Sequence, residues 1–391
     1  MVLLLTFGFF AGVLSQVHAC QICLPIPTTS AADHLLEAEV VVLAREDPQN
    51  PFSLRTVEVL KGDPATATID LFLDSQSRRT LALFPRRKII CSYRSTGPDA
   101  GWQRIGTADS AFGPLVREIL DRSASWKEAP KERAAFFAKS LGHKNSQIST
   151  LAHLEVARAP YDQIKGFAVI VRPENLRAFL KNFRLFEWHA LYILLLAQSG
   201  EEQDHKLIIE RVRSAERFGT VLQLAAWATA WIEIDEETAL DFFHERYLKN
   251  PERKPDEVQA VHAALSVHGS NGHTHLRDRI VDGYRMILAN HPTMASKIVT
   301  DLMAWKRWDL AETVAGIVEV PPSKLDRAAL LQLRSYTRLA GEAGSGDIRD
   351  RDGSEGRGAS FVVAVIVAAL VLVPVGLSVI SRLRPAKAVG S

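Results

Sequence analysis

The spacing of hydrophobic residues changes once along this 391-residue chain, near residue 112. Before that point apolar residues alternate with polar ones, as over residues 67–73, and a period of two predicts β-strands. After it they recur at positions i, i+4 and i+7, as over residues 208–215, which predicts helices. Strands followed by helices predict an α+β fold with a small N-terminal β-barrel and then an α-helical domain.

Short apolar runs separated by turn residues characterise the β region, residues 38–105. A continuous apolar run covers residues 40–43. Alternation is present at residues 57–59, before the turn Lys61-Gly62-Asp63-Pro64, and again at residues 89–93. Several short strands with Pro and Gly turns between them are typical of a small barrel or sandwich.

Helical periodicity extends from about residue 112 to residue 341. Ser323 with Asp326 resembles a capping box, and Gly341 is placed to end the last helix. The apolar stripe of that helix is Ala329, Leu333, Tyr336 and Ala340. No repeat of fixed period is evident, so we predict a solenoid-like stack of irregular antiparallel helix pairs, loosely like HEAT repeats.

Both ends of the chain carry uncharged apolar runs. Residues 2–14 are apolar except for Thr6, and Ala19 precedes Cys20 as in a cleaved secretory signal. Residues 361–380 carry no charge and would span about 30 Å as a helix, which predicts a transmembrane segment. Export of the N-terminus would leave the bulk of the chain outside the cytoplasm.

These ends define the predicted organisation of the chain. The location expected is the cell membrane, single-pass, with the bulk of the chain extracytoplasmic, either periplasmic or extracellular. The glycine-rich residues before the apolar run favour a flexible tether. The predicted segments are a signal peptide 1–19, a β-module 20–123, an α-helical HEAT-like domain 124–341, a flexible linker 342–360, a transmembrane helix 361–380 and a cytoplasmic tail 381–391.

The charge of the chain argues against one class of partner. A formal net charge of +2, with 24% charged residues, is ordinary for a globular protein. The basic run at residues 86–88 is short and is best interpreted as a solvated face. We therefore expect no nucleic-acid partner, attachment to the membrane through the C-terminal helix, and a protein partner.

Residues 20–123 combine a cysteine pair at the predicted mature N-terminus, AEVVVLARE and FSLRTVEVLKGD as the first two strands, Cys91, and a helix over residues 112–122. In these features the region resembles the netrin-like module, the β-barrel found in tissue inhibitors of metalloproteinases. The helical region and the anchor look like those of membrane-anchored proteins of environmental bacteria, planctomycetes especially. In the inhibitors the first cysteine chelates the protease zinc, so the resemblance implies that role for Cys20 as one alternative.

Export would place Cys20, Cys23 and Cys91 in an oxidising compartment, where a structural disulfide is the favoured role. Cys91 paired with Cys20 or Cys23 would close a loop of about 70 residues and contribute about 4 kcal/mol through chain entropy. The odd cysteine leaves lipidation of Cys20 open, with Cys23 then paired to Cys91. A redox role for the C-x-x-C pair is disfavoured, because the prolines at 25 and 27 prevent an ordinary helix there.

Histidines cluster in the segment VHGSNGHTH, which contains His268, His273 and His275, with His262 upstream. Three imidazoles in one loop can hold zinc or copper and leave a fourth coordination position for water. The alternative is a solvent-exposed turn between helices. The sequence favours the turn, because no H-E-x-x-H motif or adjacent acidic residue accompanies the histidines.

The acidic run IEIDEE, residues 232–237, also permits two interpretations. Its carboxylates are able to face a cation or a glycosidic bond. Alternatively, Asp235 is the N-cap of a helix EETALDFF, whose first-turn acids favour the helix dipole. We prefer the N-cap.

No nucleophile elbow, P-loop or dinucleotide-binding fingerprint occurs in a supporting context. We therefore predict a noncatalytic, membrane-anchored extracytoplasmic scaffold that presents its helices to a protein partner, without catalytic residues or cofactor. Two alternatives stay open. One is a metal-binding protein or metal-dependent enzyme using His262, His268, His273 and His275, and the other is a metalloprotease inhibitor acting through Cys20.

Overall fold

The computed structural model describes residues 22, 29–63, 68–319 and 325–349, with side chains described as far as residue 343. The predicted signal peptide 1–19, transmembrane helix 361–380 and tail 381–391 lie outside these residues. The described part is a mixed α and β structure that is mostly helical, as expected from the change of period. Within it, no helix is both long enough and apolar enough to cross a bilayer.

Four antiparallel strands form one open sheet with the spatial order β2-β1-β3-β4. Each strand pairs with its neighbours through a regular register, for example Val42 opposite Cys91. The strands are β1 (Val40–Glu46), β2 (Leu54–Lys61), β3 (Lys88–Arg94) and β4 (Gly101–Ala108).

Strand β1 is buried on both faces, which explains its continuous apolar run. Val41 and Leu43 pack into a core that includes helices on one side of the sheet. Val40 and Val42 pack on the other side, in a smaller cluster that contains Cys91. A central strand covered on both faces has no polar side to alternate with, so its sequence is apolar throughout.

The strand expected over residues 67–73 is not present in the described part of that segment, residues 68–73. Its alternation is nevertheless real, because Ile69 and Leu73 are buried whereas Phe72 is 76% exposed. The backbone amide of Leu73 donates to the carbonyl oxygen of Phe52. The segment therefore covers the smaller cluster without pairing along a strand.

Seventeen α-helices are present among the described residues, sixteen of them no longer than 17 residues. The first nine are α1 (Ala31–Glu37), α2 (Ser75–Leu83), α3 (Phe112–Asp121), α4 (Ser123–Glu128), α5 (Pro130–Ala138), α6 (Ser146–Ala157), α7 (Tyr161–Gly166), α8 (Pro173–Lys181) and α9 (His189–Leu196). The others are α10 (Glu202–Phe218), α11 (Leu224–Ile234), α12 (Glu236–Phe243), α13 (Pro255–Asn271), α14 (Arg277–Asn290), α15 (Ala295–Ala304), α16 (Ala311–Glu319) and α17 (Arg327–Arg349).

Sequence signals located some of these helices, among them α3 and α10. The stripe at residues 208–215 is buried along one face of α10, and Gly219 ends that helix in the left-handed conformation. The last helix differs from the prediction, because α17 continues past Gly341 to Arg349. Gly341 is not among the glycines with positive φ, so it does not form the helix-ending turn that glycine favours.

The chain divides into two compact units. The first unit extends to Phe242 and includes Ala260–Arg277, and its main core joins side chains of the sheet to side chains of α3, α5, α6 and α9. The second unit contains Phe243–Gln259 and the residues from Asp278 onward. Its buried side chains include Leu333 and Tyr336 of the predicted α17 stripe.

Candidate functional site

The four predicted histidine ligands occupy a helix and the turn that follows it. His262 and His268 lie within α13, and His273 and His275 follow its end, the latter in a short 3₁₀ turn, Thr274–Leu276. The expectation of a single glycine-rich loop was therefore wrong for His268, which belongs to the helix. All four positions belong to the first unit.

His268 is fully buried and forms a hydrogen bond to the backbone of α11. Its Nε2 lies 2.9 Å from the carbonyl oxygen of Thr229, to which it donates. Burial lowers the pKa of His268 from 6.5 to about 4, so the ring is neutral at physiological pH. His262 is also buried, and it does not belong to either group of potential metal ligands that the described residues bring together.

Two carboxylates that the sequence did not connect to the histidines lie beside them. Glu233 is near the end of α11, and Glu236 is the first residue of α12. Asp235 between them is the predicted N-cap, which is confirmed because its Oδ1 accepts a hydrogen bond from the Thr238 amide at 3.4 Å. The α11–α12 junction therefore turns one glutamate on each side of the cap toward the histidines.

His273 lies between these two carboxylates. Its Nδ1 is 2.9 Å from Glu236 Oε1, and its Nε2 is 3.1 Å from Glu233 Oε2. His275 Nε2 is 2.6 Å from the second oxygen of Glu236. Two overlapping sets of possible ligands result, each with its ligand atoms within 4.8 Å of one another: Glu233, His268 and His273, and Glu236, His273 and His275.

Glu233 already has strong partners of its own. Lys165 Nζ lies 2.6 Å from one of its oxygens, and the hydroxyl of Tyr161 donates to the other at 3.0 Å. Burial by itself raises the pKa of Glu233, but Lys165 and the other hydrogen-bonding and positively charged neighbours together outweigh it and hold that pKa below 4.5. Glu233 is therefore an ionised carboxylate fixed by a cation and a hydroxyl.

Exposure distinguishes the two glutamates. The Glu233 side chain is 8% exposed, whereas Glu236 is 31% exposed and His275 is 64% exposed. The set containing Glu236 is thus accessible from solvent, and the set containing Glu233 is enclosed.

Only Cys91 of the three cysteines lies in the described part of the chain. It is buried in β3 within the smaller cluster, and burial raises the pKa of its thiol to about 12. The predicted partners Cys20 and Cys23 lie outside the described residues, so the disulfide stays a prediction.

Sequence reasoning identified His273 and His275, and it offered the carboxylates of residues 232–237 as an alternative cation site without connecting them to the histidines. It missed Lys165 and Tyr161. About 40 positions separate the glutamates from the histidines along the chain, and only packing of α11 and α13 brings them together. The one available signal was the pair of acids that flanks the N-cap. Comparison of the chain with protein-family models, with curated proteins and with solved structures gives no match.

Proposed function

We propose that this protein binds a divalent transition-metal ion, zinc by the chemistry of its donors, through Glu236, His273 and His275. We call these three residues the zinc-donor group. The observation that carries the proposal is that a carboxylate from one segment and two imidazoles from another meet with ligand atoms within 4.8 Å. Imidazole nitrogen and carboxylate oxygen are preferred zinc ligands.

The charge around each carboxylate favours Glu236 over Glu233 as the ligand. The ammonium group of Lys165 lies 2.6 Å from Glu233 and would repel a second cation there. Among the described residues, the side-chain partners of Glu236 are the imidazoles of His273 and His275. Its negative charge is therefore the one available to a metal ion.

We assign Glu233 the role of orienting the ring of His273. A ligating histidine commonly donates its other ring N–H to a carboxylate, which fixes the tautomer and orients the ring. His273 Nε2 faces Glu233 while its Nδ1 faces Glu236, and Lys165 and Tyr161 hold Glu233 in position. This arrangement supports Nδ1 as the metal-binding atom of His273.

Three protein donors leave one position of a tetrahedral ion open. Sites with three protein ligands and one water are typical of catalytic zinc, whereas structural zinc is closed by four. The exposure of His275 gives water access to that position. The proposal is of metal binding, with a coordination number that permits a bound water.

Zinc binding by the purified full-length protein tests the proposal. We expect elemental analysis to give one zinc per chain. We expect Glu236→Gln and His275→Gln to lose zinc binding, as measured by competition with a chromophoric chelator. Glu233→Gln is expected to weaken binding by about 10–100-fold, as for other supporting carboxylates, without abolishing it. His143→Gln, at an exposed histidine elsewhere in the first unit, is the matched control.

Two results would contradict this assignment. Failure of the wild-type protein to bind zinc at micromolar concentration would remove the function altogether. Complete loss in Glu233→Gln combined with normal binding in His275→Gln would move the site to the enclosed set of Glu233, His268 and His273. Circular dichroism of each variant separates loss of binding from loss of folding.

A second candidate function is the membrane-anchored, noncatalytic scaffold. It is favoured by exposed apolar side chains in two neighbouring segments of the first unit, with Phe183 82%, Phe218 69% and Leu222 65% exposed. The side chain of Gln223 donates to the carbonyl oxygen of Phe186 at 3.4 Å, which brings the segments together. Contiguous exposed apolar surface commonly marks an interaction site.

Photocrosslinking in native membranes tests the scaffold. A photoreactive residue at position 183 is expected to give one adduct of constant mass, and the same residue at exposed Gln203 is expected to give none. Equal labelling patterns from the two positions would count against a partner on this surface.

The finer features of the architecture are also proposals: an N-terminal netrin-like module, a HEAT-like helical domain and a single-pass anchor at residues 361–380. They are supported by the sequence patterns described above. Mass spectrometry of the mature protein tests the N-terminal part. It reports cleavage after Ala19, acylation of Cys20 and the partner of Cys91 in one measurement.

A further inference from the structure

Two arginines face each other across the β1–β2 ladder. Arg45 and Arg55 are directly opposite in the antiparallel register. Opposite residues in such a pair share a face, with Cβ atoms about 4.5–5.5 Å apart, and like charges in this position destabilise the sheet. An anion bound between the two side chains would offset this repulsion.

Neither arginine has an acidic partner within the described residues. Among the described residues, no ion pair or side-chain hydrogen bond involves Arg45 or Arg55, whereas Arg78 and Arg94 of the same region are both paired. The nearby carboxylate of Asp47 accepts the backbone amide of Gln49 at 3.0 Å. The two guanidinium groups therefore keep their hydrogen-bond donors available.

A cleft of about 440 Å³ lies at this end of the strands. Its volume is within the range of small-molecule sites. A third arginine, Arg78, contributes to its wall, and the lining includes Arg45, Glu46, Asp47, Pro48, Arg55 and Arg78. Both arginines thus line a space that a small molecule can enter.

Specific contacts hold the rim of the cleft in place. Arg78 pairs with Glu46 and lies 4.1 Å above the ring of Phe52. Phe52 itself has φ of 72°, a left-handed conformation that is strained for an aromatic residue and persists only where its surroundings enforce it. Its amide donates to the same Glu46 carboxylate at 3.3 Å. Backbone strain of this kind concentrates at ligand sites.

We infer that this cleft binds an oxyanion, a phosphate or sulfate group, held between the guanidinium groups of Arg45 and Arg55. Guanidinium groups recognise tetrahedral oxyanions through paired, charge-assisted hydrogen bonds. A doubly charged anion also relieves the repulsion between the two opposite side chains. Arg78 is neutralised by Glu46 and shapes the wall. The inference is independent of the zinc proposal, because it uses different residues and a different ligand.

Equilibrium dialysis of the full-length protein with radiolabelled inorganic phosphate measures the binding. We expect saturable binding that sulfate displaces and chloride at equal ionic strength does not. Arg45→Gln and Arg55→Gln are each expected to weaken it at least about tenfold, because each removes charge-assisted hydrogen bonds. Arg79→Gln is the matched control, since Arg79 is an exposed arginine that does not line the cleft.

Thermal unfolding gives a second result that a merely structural role would not produce. In chloride, Arg55→Gln is expected to melt at a higher temperature than the wild type, because it removes a like-charge contact. Phosphate is expected to raise the melting temperature of the wild type and leave that of Arg55→Gln unchanged. Absence of phosphate binding, or an equal loss of binding in Arg79→Gln, would overturn the inference.

Discussion

Burial keeps the side chain of His153 neutral, and two hydrogen bonds fix its tautomer. Its Nδ1 lies 2.6 Å from the carbonyl oxygen of Ser149, so this nitrogen carries the proton, and its Nε2 accepts from the hydroxyl of Tyr192. Burial lowers the pKa of His153 from 6.5 to about 4. Unfolding exposes the ring, so between these two pH values the unfolded chain takes up a proton that the native protein excludes.

Acidification is therefore expected to destabilise the protein through His153. Its contribution to stability is complete above about pH 6.5 and decreases as the pH falls toward 4. Between pH 8 and pH 5 the free energy of unfolding of the wild type should fall by about 2 kcal/mol more than that of His153→Gln. Urea unfolding of both proteins at the two pH values measures the difference, and identical pH dependences would contradict the assignment.

Gly62 occupies a backbone conformation that other residues rarely adopt. Its φ is 73°, and a Cβ atom there would overlap the carbonyl oxygen of Glu39. Gly62→Ala is therefore expected to cost about 2 kcal/mol or more, because strain and steric overlap combine. Gly316→Ala is the matched control: no atom lies within 4 Å of its added Cβ, and it should leave the melting temperature unchanged or raise it. Equal melting temperatures for the two variants would contradict this reading.

Helix α1 is attached to α5 and α6 by a half-buried cluster of charges. Arg133 of α5 pairs with Asp33 of α1 at 2.6 Å and with Glu155 of α6 at 2.7 Å. Arg158 also pairs with Asp33, and Ser30 caps α1 and donates to Glu155. Both carboxylates are less than 10% exposed, so each depends on its arginines for neutralisation.

Removal of Arg133 should be costly for that reason. Arg133→Met is expected to lower the free energy of unfolding by about 3 kcal/mol, because it leaves buried carboxylates with only Arg158. Lys206→Met, which breaks the fully exposed ion pair with Glu202 on α10, should cost less than about 1 kcal/mol. Chemical unfolding of the two variants measures both values, and similar losses would show that the cluster is no stronger than a surface pair.

The helices were more predictable than the segments between the strands. A stripe such as that at residues 208–215 depends on local spacing alone, whereas residues 68–73 alternate correctly but do not pair as a strand. Pairing depends on which neighbour is within reach, and one-dimensional periodicity does not contain that information. The end of α17 was wrong because a glycine ends a helix only when it adopts positive φ.

The candidate zinc site was also predicted only as far as local sequence allows. His273 and His275 were predicted because they are neighbours in the sequence. The acidic run that contains Glu233 and Glu236 was interpreted as a helix start in preference to a cation site, since its relation to the histidines requires two helices to pack. Residues that combine over long sequence separations carry no local signal, and this is why the acidic half of the site was not connected with the histidines.

The core of the first unit continues across residue 123, where the predicted β-module ends. Val41 and Val116 on one side of that position share a cluster with Phe137 and Leu151 on the other. The sheet and α3 thus bury their larger apolar face against helices of the following region. Stability of the β part depends on that cover, because an uncovered apolar face remains in contact with water.

A fragment of residues 20–123 is therefore expected not to fold by itself. Its apolar face would bind a hydrophobic dye, and its circular dichroism signal should show no cooperative thermal transition, whereas the full-length protein shows one. A sharp transition in the fragment near that of the intact protein would contradict this expectation. The full-length protein under the same conditions is the control.

The open sheet has a further consequence for how copies of this protein meet one another. Within the described residues β2 pairs only with β1, and its outer side offers unpaired amide and carbonyl groups beside the exposed Val57 and Val59. Such a strand is a template for fibrous assembly unless charge prevents approach. Arg55 and Glu58 interrupt the apolar residues of β2. We therefore expect Arg55, which we propose binds an oxyanion, also to repel neighbouring chains, so that a ligand that neutralises it should make the protein more prone to self-association.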